Sequence, residues 1–222
     1  MSKKTEKKST IVSTLVAAAL MGGLFSAAYM TNRVQDVLVS GDINEITEQK
    51  LFETGDNIKI SINSLGGSVY SLEGIYVTLH KKQVSTEIQF NASSAAAMIS
   101  ITGKERTMNA DSTVLFHGVR VMTPIGAINA KRAAEMLAAV TKKMETATEA
   151  EKLGLKLLQA QLSQLLLMLR AADSRLVLQI DGLKNLSNKA KEAIIDAIKS
   201  GDDVTFNSEE ALELEIATKV VK

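Results

Sequence analysis

Asn57-Ile58-Lys59-Ile60-Ser61-Ile62-Asn63-Ser64-Leu65-Gly66-Gly67-Ser68-Val69 begins as a strict alternation and ends on paired glycines. From Asn57 to Ile62 polar and apolar residues take turns, the period of a strand with one buried face. Gly66-Gly67 breaks the run, and Ser68–Lys81 then carries apolar residues at helical spacing. The same alternation of elements recurs on both sides. Strands are expected at Asp36–Val39, Val84–Phe90, Arg106–Met108 and Thr113–Phe116, and helices at Glu45–Phe52 and Ser94–Thr102. Strand and helix alternating at such short spacing require crossover connections, and so a largely parallel α/β sheet. Because the strands are short, the sheet is expected to wind into a spiral rather than a broad open layer.

Two further stretches carry chemistry. In Asn91-Ala92-Ser93-Ser94-Ala95-Ala96-Ala97-Met98, Ser94 opens a helix directly after a strand, where a hydroxyl is exposed near the positive end of the helix dipole. Ser93 is its competitor, and a lone serine at this position is more often a plain helix cap. In Val114-Leu115-Phe116-His117-Gly118, the histidine ends an apolar strand 23 residues after Ser94. An imidazole titrates near neutral pH and is the natural general base; the bland reading is a packed histidine. The other histidine, His80, sits at a polar helix end and reads as a surface residue. Near the C-terminus, Gly201-Asp202-Asp203-Val204-Thr205-Phe206-Asn207-Ser208-Glu209-Glu210-Ala211 offers a carboxylate. Nucleophile, base, orienting acid and glycine-presented amides are the parts of a serine hydrolase.

The order of these segments resembles the Clp protease proteolytic subunit (ClpP) and its signal peptide peptidase A-like relatives, over roughly residues 36–120 and 187–222. The resemblance implies a ClpP/crotonase-like spiral of short βαβ units and a serine endopeptidase. It assigns Ser94, His117 and Asp203 as the catalytic set, with Asp202 one residue away as the alternative acid. It assigns the amides of Gly67 and Ala95 as the oxyanion hole. No cofactor or metal is implied. Three positions depart from the pattern: Leu65 replaces a frequent proline, Glu215 stands where glycine is usual, and Lys59 and Ser61 occupy outward positions that hold aromatic residues in ATPase-coupled members. His117 and Asp203 are also 86 residues apart, longer than the compact form of the family.

The excess lies in residues 128–180, which read as an enlarged helical handle. Leu155, Leu158, Leu162, Leu165, Leu169, Ala172 and Leu176 fall at steps of three and four, a heptad seam, and Ala133, Leu137, Val140 and Met144 make a weaker one. The segment reads as an oligomerisation element or a helical hairpin, against the plainer alternative of a core helix. The charged stretch Glu145–Lys152, followed by Gly154, separates two helices or forms a solvated middle. Beyond it, a helix Asn188–Lys199, a short helix capped by Asn207 and a strand Thr218–Val221 are expected.

Composition narrows the rest. The chain has 222 residues, no cysteine and a net charge of +1, which excludes disulfides and thiolate chemistry and gives no reason to expect a nucleic-acid partner. Two histidines are too few for most transition-metal sites. Residues 1–32 differ from the remainder: four lysines precede Ser9–Asn32, which has no charged residue and as a helix would span about 36 Å. This reads as a membrane anchor or a cleaved signal peptide, against the plainer alternative of a buried core helix, and the peptidase domain, residues 33–222, is expected on the non-cytoplasmic side. The expected partners are a peptide or unfolded protein, other copies of the chain, and the membrane through the N-terminal helix, without an ATPase. The rival readings are an inactive assembly scaffold on the same fold and a crotonase-like acyl-CoA enzyme.

Overall fold

The computed structural model describes residues 33–222. The expected N-terminal hydrophobic helix, residues 1–32, lies outside the described residues. The chain runs β1 (Gln35–Ile43), α1 (Glu45–Phe52), β2 (Asn57–Gly67), α2 (Val69–Leu79), β3 (Gln83–Ser93), α3 (Ala95–Ser100), β4 (Glu105–Asn109) and β5 (Thr113–Phe116). There follow β6 (Val121–Thr123), β7 (Gly126–Ile128), α4 (Ala130–Thr146), α5 (Glu149–Gly182), α6 (Asn188–Ser200), β8 (Val204–Asn207), α7 (Ser208–Glu213) and β9 (Lys219–Val221).

β1, β2, β3, β4 and β9 lie side by side, every neighbouring pair parallel. The alternation that predicted β2 also sets its two faces. Ile58, Ile60 and Ile62 are wholly buried, against Leu51 of α1, Leu72, Ile75 and Leu79 of α2, and Ile99 of α3 in one core. Each such side chain contributes about 1.5–3 kcal/mol on burial. The opposite face remains partly open, with Lys59 paired to Glu87 at 2.6 Å across the β2–β3 ladder. Helices on one face only distinguish this sheet from a doubly wound one.

β3 has two successive partners. Its first part, Ser85–Ile88, pairs with β4, and its end, Asn91–Ser93, pairs with β5. β5 in turn takes β8 as an antiparallel neighbour. The sheet therefore divides along β3, with one branch leading to β9 and the other to the histidine. Arg106 of β4 ties the C-terminal segment to the first branch. Buried, it donates from Nε to Ile216 O (2.7 Å) and from its terminal nitrogens to the carbonyls of Gly103, Asn185 and Glu215.

The helical region is a hairpin. Its break is at Ala147–Thr148, inside the expected charged stretch and not at Gly154, because Thr148 and Glu151 form a capping box that starts α5 there. Leu162, Leu169 and Leu176 of the seam are buried. Leu166 and Leu169 pack on Ile128 and Ala133, whereas Leu176 and Ile180 join the main core, so α5 is both arm and domain helix. Two features exceed the sequence reading: the β6–β7 hairpin around Pro124, and β8, whose residues alternate too briefly to stand out.

Candidate active site

Parallel pairing brings the glycine turn, the serine and the histidine to the same end of the sheet. Ser64 lies beside Ala92, and Ser93 beside Leu115, so the strands deliver Gly66-Gly67, Ser94 and His117 in adjacent positions beyond their C-terminal ends. In open α/β sheets this is the edge where ligands bind.

Ser94 forms a sharp elbow between β3 and α3. Its φ is 56° and ψ −123°, a conformation non-glycine residues rarely adopt and one that costs on the order of 1–3 kcal/mol. The elbow is fixed by its own backbone: Ser94 N–H donates to Leu115 O at 2.9 Å, and its carbonyl accepts from Met98 N–H at 3.2 Å. The hydroxyl makes no cap bond, so Ser94 is not a plain helix cap. Gly66 presses on this elbow. A Cβ added there would lie 2.7 Å from both Ser94 Cβ and Ser93 O, while one on Gly67 would lie within β1's backbone at Ile43. Glycine is required at both positions by close approach.

His117, half-buried in the loop after β5, places Nδ1 2.6 Å from Gly118 O. A carbonyl only accepts, so Nδ1 carries the proton and Nε2 is left as the acceptor, the tautomer a general base requires. Burial is the main influence lowering the imidazole pKa, with Arg120 acting the same way; the Gly118 bond, Asp203 and Asp173 oppose it. Burial therefore favours the neutral ring. Ser94, His117, Gly67 and Ala95 all line one cleft of about 280 Å³. Its buried apolar wall includes Leu72, Met98, Phe116 and Leu176. No hydrogen bond joins Ser94 to His117 among the described residues, a looseness common in catalytic pairs before substrate binds.

The acidic residue is placed differently from expectation. Asp203 precedes β8, whose Val204 pairs with Phe116, so it is close to His117. Its carboxylate, however, is held by Arg120 through contacts of 2.5 and 3.3 Å, and among the described residues it makes no hydrogen bond with His117. A guanidinium is a permanent, forked donor and outcompetes a neutral imidazole for a carboxylate. Asp202, the alternative, pairs with Lys131 at 2.9 Å on the surface. Two neighbours of the histidine were missed in the sequence. Arg120 stands three residues beyond it and could have been found by looking for counter-ions. Asp173 projects from α5 and accepts from Val119 N–H at 2.5 Å. Its one signal is that it is the sole acidic residue between Glu151 and Asp181.

Strand ends, a serine elbow and a half-buried imidazole around an apolar cleft make up the candidate site of an α/β domain. The Clp protease family model matches residues 26–174, and the chain belongs to the Clp protease family, a family of peptidases. Among solved structures, a point mutant of ClpP1 from Listeria monocytogenes is similar in fold, with a TM-score of 0.53 and 17% identity over 84% of this chain and 91% of that one. No curated protein sequence matches the chain.

Proposed function

We propose that the protein is a serine endopeptidase that cleaves peptides or unfolded proteins through an acyl-enzyme. Ser94 Oγ attacks the scissile carbonyl and passes its proton to His117 Nε2, which then protonates the leaving amine. Water repeats the sequence to release the acid. The amides of Gly67 and Ala95 receive the oxyanion, a role in which one donor is worth roughly 10²–10³ in rate. Asp203 adds negative charge beside the imidazolium as it forms. The observation that supports this reading best is the strained Ser94 elbow, its hydroxyl free of the helix cap and in one cleft with His117. The apolar wall favours an apolar side chain next to the scissile bond.

The reading includes an exported or membrane-held enzyme that works without an unfoldase. Its supports are the uncharged run after the lysines and the polar outward positions Lys59 and Ser61, where Lys59 is engaged with Glu87. A fluorophosphonate probe should label the wild type and fail to label Ser94→Ala, with peptide hydrolysis falling by at least about 10³. Equal labelling of the two would overturn the assignment. A second reading, an inactive assembly member of the family, draws on the Asp203–Arg120 pair; an unlabelled wild type that assembles normally would favour it.

A further inference from the structure

The bond that fixes the histidine tautomer ends on a carbonyl, and that carbonyl belongs to a peptide group whose other end is also engaged. Gly118 O accepts from His117 Nδ1–H at 2.6 Å, and the N–H of the same peptide, on Val119, donates to Asp173 Oδ1 at 2.5 Å. Gly118 has no side chain, and this keeps the arrangement open: a Cβ there would lie 3.0 Å from Asp173 Oδ1, 3.2 Å from Oδ2 and 3.0 Å from Ile198 O. Asp173 is half-buried and is in no ion pair among the described residues, whereas Asp203 and Asp202 are committed to Arg120 and Lys131.

We propose that Asp173 is a positioning residue for His117, acting through the Gly118–Val119 peptide. A carboxylate bonded to an amide N–H polarises the amide and makes its carbonyl a stronger acceptor. The Nδ1 proton is thereby held, Nε2 is aimed at the cleft, and the charge that develops on the ring during proton transfer meets a carboxylate one peptide away. The handle helix thus supplies a hold on the Nδ1 proton that the loop before β8, tied to Arg120, does not. The groups facing the imidazole are Arg120 in its own loop, Asp203 before β8 and Asp173 on α5. Asp173 is itself subject to opposing influences: burial pushes its pKa up, while the Val119 N–H and His117 pull it down.

The kinetic consequence rests on the peptidase reading; the titration does not. Asp173→Asn keeps an oxygen to accept from Val119 and removes only the charge. In full-length protein, nitrogen NMR of the imidazoles is simple because the chain has two histidines, assigned with His80→Gln. Losing the charge should lower the His117 midpoint and shift the acid limb of kcat/KM to lower pH. It should also reduce kcat/KM roughly tenfold or more, with the circular dichroism unchanged. Asp203→Asn should also lower the midpoint, through the charge it removes and the Arg120 it frees, so both variants are measured. If Asp173→Asn leaves the midpoint in place, whatever the rate, or if Asp203→Asn alone shifts it, the inference is overturned. If the midpoint falls while the wild type resists fluorophosphonate, the relay stands and the peptidase reading fails.

Discussion

Glu215 is exposed and sits at φ 61°, in the left-handed region, in the turn between α7 and β9. Its carbonyl accepts from Arg106, and its carboxylate supplies negative charge that favours the buried guanidinium. A left-handed non-glycine residue costs about 1–2 kcal/mol, offset in part by the extra unfolded-state freedom of glycine, about 0.5–1 kcal/mol. Glu215→Gly should therefore be more stable than Glu215→Gln, which also lacks the carboxylate but keeps the side chain, by a few tenths to about 1 kcal/mol read from the denaturation midpoint; equal or lower stability would show that the turn is not strained. The sequence flagged this site because glycine is usual there, and the backbone supplies the cause. Ser94 and His117 were legible for a related reason: each sits at a strand end, so neighbours in the chain fix its position. Asp203 was legible as a location but not in its bonding. Which partner a carboxylate takes depends on a cation from another loop, and no spacing rule encodes that competition.

Elements were clearest where one period persisted. β2 follows its isoleucines, and α1 has the boundaries expected because Asn44 caps its start through bonds to Ile46 and Thr47. The hairpin was legible as two helices, but the position of its turn depended on a two-residue capping box that outweighs a glycine inside α5. The arm leaves Leu153, Leu157 and Met168 exposed on one side of α5, while Leu165 and Leu169 of the seam face α4 and Leu176 faces the domain. Such a stripe calls for a covering surface, and members of this family form homo-oligomers. Leu153→Lys combined with Leu157→Lys should reduce the mass measured by light scattering while leaving the helical signal intact. An unchanged mass would exclude this stripe from the interface.

At the scale of the whole molecule, the branching sheet could not be read in advance. Local patterns identify strands but not which neighbour each one takes, and β3 takes two. The N-terminal run, in contrast, was legible in the sequence only. It leads to a concrete expectation: with the full chain expressed in a bacterial host, an epitope placed after Lys222 should be digested by protease added to spheroplasts. Protection of the epitope would place the domain in the cytoplasm. The division of β3 also has a mechanical meaning. Between Ile88 and Asn91 the strand passes from one neighbour to the other, and Asn109 Nδ2 bridges the gap by donating to Gln89 O at 3.0 Å. Serine elbow, histidine loop and β8 lie beyond that joint and share one set of ladders. Because β2 pairs with β3 on both sides of that point, at Ile88 and again at Ala92, the glycine turn is tied to the same frame, and the branch point leaves the reactive groups held at fixed spacing.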